Sequence, residues 1–149
     1  VKSRFLFIAR SLVNNTDGIW IKNQDLAAIE LLLKAEANIE NADISGDTPL
    51  MVAVKSKLFS IAELLVNYGA NTEIIDSDGN TPLLLAVKKK FLSIAELLVN
   101  SGAHLEAVDD NGESILELLD NEFSYLERFK SLEQLDGFKL LRQRINQSV

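Results

Sequence analysis

The sequence predicts an all-α fold: a solenoid of helix–turn–helix units, each headed by a β-turn finger, with extra helices closing the row at both ends. Three observations predict it. Residues 43–75 (DISGDTPLMVAVKSKLFSIAELLVNYGANTEII) align without a gap on residues 76–108 (DSDGNTPLLLAVKKKFLSIAELLVNSGAHLEAV), with 20 of 33 positions identical. A period of that length belongs to stacked repeats. Within each copy, one turn signal precedes two apolar patterns at helical spacing, and proline and glycine fall where helix starts and ends need them.

Taken in order, the chain opens with Phe5, Ile8 and Leu12, flanked by Leu6, Ala9 and Val13, spaced like one face of a helix. This predicts a capping helix over residues 1–9. A degenerate unit follows at 10–42; it keeps IELLLKAEANIENA at 29–42 but has lost most of its first half. Trp20 falls where the later copies carry Ala53 and Ala86. It is too bulky for a tight interior position and is expected to fill space at the end of the row.

The two matched units span 43–75 and 76–108. Asp43 to Gly46 and Asp76 to Gly79 are turn chemistry, since aspartate bonds nearby amides and glycine accepts positive φ. Thr48 and Thr81 are N-caps, followed by Pro49 and Pro82 at the first helical position, where the missing N–H is no loss. Leu50, Ala53 and Val54 recur at helical spacing. A second helix is expected from about Ser60 to Tyr68, carrying Ile61, Leu64 and Leu65 and stopped at Gly69, as its copy is at Gly102.

A partial unit is expected at 109–122 and two capping helices at 123–149, interrupted near Gly137. They carry Leu126, Phe129 and Leu132, then Leu140, Leu141 and Ile145, with Arg142 and Arg144 suited to a helix C-terminus. An interface to a further domain is the alternative reading of these last helices.

The segments G-D-T-P-L (46–50) and G-N-T-P-L (79–83), each followed by I-A-E-L-L-V-N-x-G-A (61–70 and 94–103), resemble the ankyrin repeat. The match is strong over 43–108, fair over about 20–42, and partial over 109–120. The resemblance implies a stack of L-shaped units with turn fingers beside a concave helical face. It also implies protein binding without catalysis. Several positions depart from the family pattern. Met51 and Leu84 replace its histidine, and Lys57 and Lys90 replace its glycine between the helices. Glu36 stands where Gly69 and Gly102 stand, so that helix end is expected to close differently. Ile115 replaces the proline.

By this resemblance, contacts concentrate on turn tips and on the exposed ends of the first helices. The tips are Ile44, Ser45 and Asp47; Ser77, Asp78 and Asn80; and Asp110, Asn111 and Glu113. The helix ends are Lys55 and Ser56, then Lys88 and Lys89. Lys22, Lys55 and Lys88 share one repeat position and are expected to form a ladder, thickened by Lys57, Lys89 and Lys90. A basic strip beside an acidic comb would steer a partner, here a polar or acidic protein segment. The alternative is that these lysines only complement helix dipoles. Tyr68 is a further anchor candidate, against a neighbour contact.

Other chemistries find little support. No cysteine is present, which removes thiolate nucleophiles and cysteine metal sites. The lone His104 sits at a variable loop position and reads as solvent-facing. Gly46, Gly79 and Gly112 lie whole repeats apart, so no phosphate loop forms. No catalytic residue, cofactor or metal is therefore expected. A net charge of −7 opposes nucleic acid and anionic membrane surfaces. The apolar run at Phe5–Ala9 is too short for a membrane span.

The function expected is that of a cytoplasmic, monomeric adaptor or scaffold. The alternative is a regulatory or targeting domain of a larger protein, such as an enzyme or a bacterial effector in a host cytosol. A start at Val1 rather than Met reads as a piece of a longer protein.

Overall fold

The computed structural model describes residues 26–34, 36, 38–43, 45–129 and 132–148. The expected capping helix at 1–9, Trp20, Lys22 and Ile44 lie outside the described residues. Within them run seven helices: α1 (Leu26–Lys34), α2 (Pro49–Lys55), α3 (Phe59–Asn67), α4 (Pro82–Lys88), α5 (Leu92–Asn100), α6 (Ile115–Phe129) and α7 (Leu132–Ser148). The β-structure among these residues is one antiparallel bridge, Val108 to Ser114, at the base of the last finger.

Local chemistry sets each unit. The Thr48 hydroxyl accepts from the Met51 N–H at 3.4 Å and the Thr81 hydroxyl from Leu84 at 3.2 Å, with proline at the first helical position of α2 and α4. After α2 the chain reverses through Lys57 in the left-handed region at φ 58°, so that the Leu58 N–H reaches the Ala53 carbonyl at 2.9 Å. Lys90 does the same after α4 at φ 61°, with Phe91 N–H on the Ala86 carbonyl at 2.8 Å. Gly69 and Gly102 close α3 and α5 at φ 85°.

The first helix end departs from expectation. Glu36 takes φ 58° and its N–H meets the Leu33 carbonyl at 3.0 Å, so the same closure forms without glycine. The reason is that the chain must still turn to reach the next finger. Bonds to otherwise orphaned helix carbonyls offset the left-handed backbone, which costs about 1–2 kcal/mol for a residue with a Cβ.

Stacking hides the apolar faces. The first helices α2, α4 and α6 pack in one row, and the second helices α1, α3, α5 and α7 in another. Leu50, Met51, Val54, Leu83, Leu84, Ile94, Leu98, Ile115 and Leu119 are essentially inaccessible, as are the small Ala62, Ala86 and Ala95 that let neighbours approach. Each large side chain so buried contributes about 1.5–3 kcal/mol. Met51 and Leu84 thus turn the family's polar histidine position into core.

The C-terminal region corrects the expected layout. α6 runs unbroken from Ile115 past residue 122 to Phe129, and α7 runs from Leu132 to Ser148 with no break at Gly137. α6 packs on α4, and α7 on α5 and α6, so the last two helices occupy the places of a fourth unit with longer arms. Gly137 is inside α7, where an added Cβ would stand 2.7 Å from Leu92 Cδ1. It marks a close helix approach, not a break. Leu141 and Ile145 are buried, while Leu140 is exposed; the side chains of Leu126, Phe129 and Leu132 lie outside those described. Arg142 and Arg144 are cross-links rather than dipole partners. Arg142 Nε pairs with Asp120 of α6 at 2.8 Å, and Arg144 Nε with Glu96 of α5 at 2.9 Å.

Candidate protein-interaction face

Each finger is built around one aspartate at the repeat period. Asp43 Oδ1 accepts the N–H groups of Ser45 and Asp47 at 2.8 and 3.0 Å. Asp76 Oδ1 accepts those of Asp78 and Asn80 at 3.0 and 2.9 Å. Asp109 Oδ1 accepts those of Asn111 and Glu113 at 2.9 Å each. Gly46, Gly79 and Gly112 follow at φ 80°, and their N–H groups return to the same three aspartates' carbonyls at 2.9–3.0 Å. Three turns closed by the same hydrogen-bond pattern result.

Their tips present Ser45, Ser77, Asp78, Asp110 and Asn111 to solvent. The expected tip residues Asp47 and Asn80 are instead buried. They follow the left-handed glycine, where the chain folds back beneath the turn towards the helix. Glu113, their counterpart, is half-buried and accepts from Asn121 Nδ2 at 3.1 Å.

Most of the lysine row is engaged by groups of its own or a neighbouring repeat. Lys55 Nζ lies 2.6 Å from Asp47 Oδ1 and 3.2 Å from Asp76 Oδ2, so it ties its own finger to the next. Burial opposes the Lys55 charge, but the two carboxylates outweigh it and raise the ammonium pKa. Asp76 shows the converse. Burial of its carboxyl would raise the pKa, yet the Asn80 N–H, the Lys55 ammonium and the Asn80 side chain lower it. Lys88 Nζ meets Asp110 Oδ1 of the following finger at 2.7 Å and Asn80 Oδ1 at 3.4 Å. The hydrogen bond to Asp110 raises the Lys88 pKa, and the same contact lowers that of Asp110. Lys90 pairs with Glu122 at 2.7 Å, and Lys57 lies 5.4 Å from the ring centre of Phe91. Ser56 is half-buried and Lys89 is exposed. Among the described lysines of the row, Lys55, Lys88 and Lys90 each reach a carboxylate and Lys57 a ring that stacking brings beside it, so most of this charge is paired, while Lys89 stays exposed.

Two structural devices went unread in the sequence. Ser114 and Glu117 form a capping box that replaces the lost Thr-Pro start: the Ser114 N–H reaches Glu117 Oε2 at 2.8 Å and the Glu117 N–H reaches Ser114 Oγ at 3.3 Å. The Ser114 N–H and then its hydroxyl lower the Glu117 pKa. The S-x-x-E spacing signals it. On the far side, Glu40 accepts the Asn71 N–H at 2.7 Å and Glu73 the His104 N–H at 3.1 Å, stitching successive loops at the repeat period. His104 itself is exposed, with Nδ1 3.5 Å from Glu73 Oε2. Tyr68 is 39% exposed, so its side chain is partly open to solvent. Among the described residues, no group of His, Cys, Asp or Glu could hold a metal, and no helix is long and apolar enough to cross a membrane.

A row of turns with one hydrogen-bond pattern over paired helices, repeated every 33 residues, defines a solenoid repeat protein. The family model for ankyrin repeats (3 copies) matches residues 19–109, and the chain belongs to that family. Ankyrin repeats are generally protein–protein interaction modules. Among solved structures, the chain is similar to the ankyrin repeat domain of Bcl-3, a member of the IkappaB protein family. Identity is 32% and the TM-score 0.57, over 60% of this chain and 40% of that one. Because 321 solved chains match, the likeness identifies the architecture rather than a partner. No curated protein matches the chain in sequence.

Proposed function

We propose that this chain is a non-catalytic adaptor or scaffold of the cytoplasm, holding a partner protein against its finger tips and the adjoining ends of its first helices. The observation that carries this reading is the tip row. Ser45, Ser77 and Asp78 point their side chains outward with no hydrogen bond or ion pair among the described residues, on turns already rigid before any partner arrives. Pre-ordered donors and acceptors lower the entropy lost on binding. With Lys55 and Lys88 facing carboxylates, the surface favours a polar segment over a strongly acidic one, and Lys89 is its available cation.

The test compares the wild-type chain with the tip variant Asp78→Lys/Asn111→Lys and with Glu63→Lys, an exposed change on α3. A partner captured from cell extract is titrated against all three. The tip variant is expected to bind about tenfold or more weakly with unchanged melting, and Glu63→Lys to bind normally. Unchanged affinity in the tip variant, or loss confined to Glu63→Lys, would move the interface to the opposite face.

A further inference from the structure

The residue preceding the left-handed glycine differs from finger to finger: Ser45, Asp78, Asn111. In the last finger this makes Asn111–Gly112, the Asn-Gly pair of the sequence and the side-chain amide most open to intramolecular attack. Glycine offers no side chain to shield its own nitrogen. Asn111 is exposed, so water reaches it freely. We propose that Asn111 is a latent hydrolytic modification site, held shut by the finger turn and opened when that turn loosens.

The chemistry uses solvent alone. The Gly112 backbone nitrogen attacks Cγ of Asn111, forming a C–N bond and a five-membered succinimide. The side-chain nitrogen departs as ammonia, taking up the proton that Gly112 nitrogen loses. Water then opens the ring. Addition at Cγ leaves an ordinary aspartate at 111, while addition at the main-chain carbonyl leaves an isoaspartate whose backbone is one carbon longer.

The turn opposes the first step in three ways. The attacking Gly112 N–H is donated to the Asp109 carbonyl at 2.9 Å, which directs it away from residue 111. The Asn111 N–H is held on Asp109 Oδ1 at 2.9 Å, and its side-chain Nδ2 lies 3.3 Å from Asp109 Oδ2, fixing the amide on the side of Asp109. The Asp109 carboxylate also holds the Glu113 N–H at 2.9 Å, so the segment 109–113 closes as one unit. Ring closure requires Gly112 nitrogen to leave the Asp109 carbonyl and reach Cγ, which means opening the finger.

The two products have different consequences. Aspartate at 111 reproduces what the preceding finger carries at Asp78 and adds a negative charge beside Asp110, the partner of Lys88. Isoaspartate lengthens the turn and breaks its closure.

The experiment follows the mass and peptide map of the full chain during incubation in mildly alkaline buffer at body temperature. It compares native chain, chain unfolded in urea, and Asp109→Ala, alongside amide hydrogen exchange at Gly112. Native chain should convert at Asn111 about tenfold or more slowly than unfolded chain, at a rate that tracks Gly112 amide opening. Asp109→Ala should convert faster than wild type. If that variant proves unfolded, sub-denaturing urea on wild type replaces it, with conversion expected to rise in step with Gly112 exchange. Conversion in the native chain as fast as in the unfolded one overturns the proposal. So does a native rate that ignores Gly112 opening.

Discussion

The junction between the second unit (α2–α3) and the third (α4–α5) carries the same lysine as the junction between the third and the fourth (α6–α7), yet the two hold it differently. Lys55 bridges Asp47 and Asp76, and the Asp76 side chain is only 1% exposed. Lys88 reaches Asp110, whose side chain is 71% exposed, while the equivalent of Asp47 is the neutral Asn80. Duplication copied the lysine, but its surroundings were set by neighbouring positions. A buried carboxylate with several donors is a structural clasp. An exposed pair is screened by water and adds little.

Asp76→Ala sharpens that contrast most. It removes a partner of Lys55 and leaves the N–H groups of Asp78 and Asn80 without their acceptor. A loss of about 3 kcal/mol is expected in urea denaturation. Asp110→Ala should leave the midpoint within error.

Acid titration separates the junctions next. The folded-state pKa of Asp76 lies below its ordinary value of 3.8, so the unfolded chain binds more protons between the two values. Its contribution is complete above pH 3.8 and is lost as pH falls through the folded pKa. Stability followed downward from neutral pH should therefore fall less in Asp76→Asn than in wild type, while Asp110→Asn should shift in the same direction but much less, because its exposed pair is screened by water. For Lys55 the sign reverses: its contribution is present below 10.5 and is lost as pH rises through the raised folded value.

A third change probes the fourth unit. Gly137→Val forces branched carbons towards Leu92 Cδ1 and should destabilise by about 1–3 kcal/mol, with the loss concentrated in α7 amide protection. The smallest effect is a gain. Lys90→Gly removes a left-handed residue with a Cβ but also the half-exposed pair with Glu122, which offsets only part of the relief, so it should stabilise by no more than about 0.5 kcal/mol, read as a slightly higher melting temperature. Lys57→Gly should gain a similarly small amount, since it trades the same backbone relief for the contact with Phe91.

Legibility in the sequence followed locality. The repeat period, the Thr-Pro helix starts, the finger aspartates and the Gly69 and Gly102 stops are written within a few residues each, and the structure holds them as read. Gly137 misled because a glycine that breaks a helix and one that lets two helices touch look alike until Leu92 is placed beside it. Glu36 misled because the missing glycine suggested a new geometry, whereas unsatisfied carbonyls impose the old one. The lysine row was legible as a row but not as clasps. Whether Lys55 meets Asp76 depends on stacking register, which residue spacing does not encode. Asp47 and Asn80 were placed one step too far out, since the turn's return leg already dips beneath the tip.

The most direct measurement is a pair of double-mutant cycles in urea denaturation, Lys55→Met with Asp76→Asn and Lys88→Met with Asp110→Asn. Neutral, similarly sized replacements keep the fold intact while removing charge. Coupling of about 1–2 kcal/mol between Lys55 and Asp76, with none resolvable between Lys88 and Asp110, is what a buried clasp and an exposed pair predict. Equal coupling at both junctions, or coupling only at the exposed one, would contradict it.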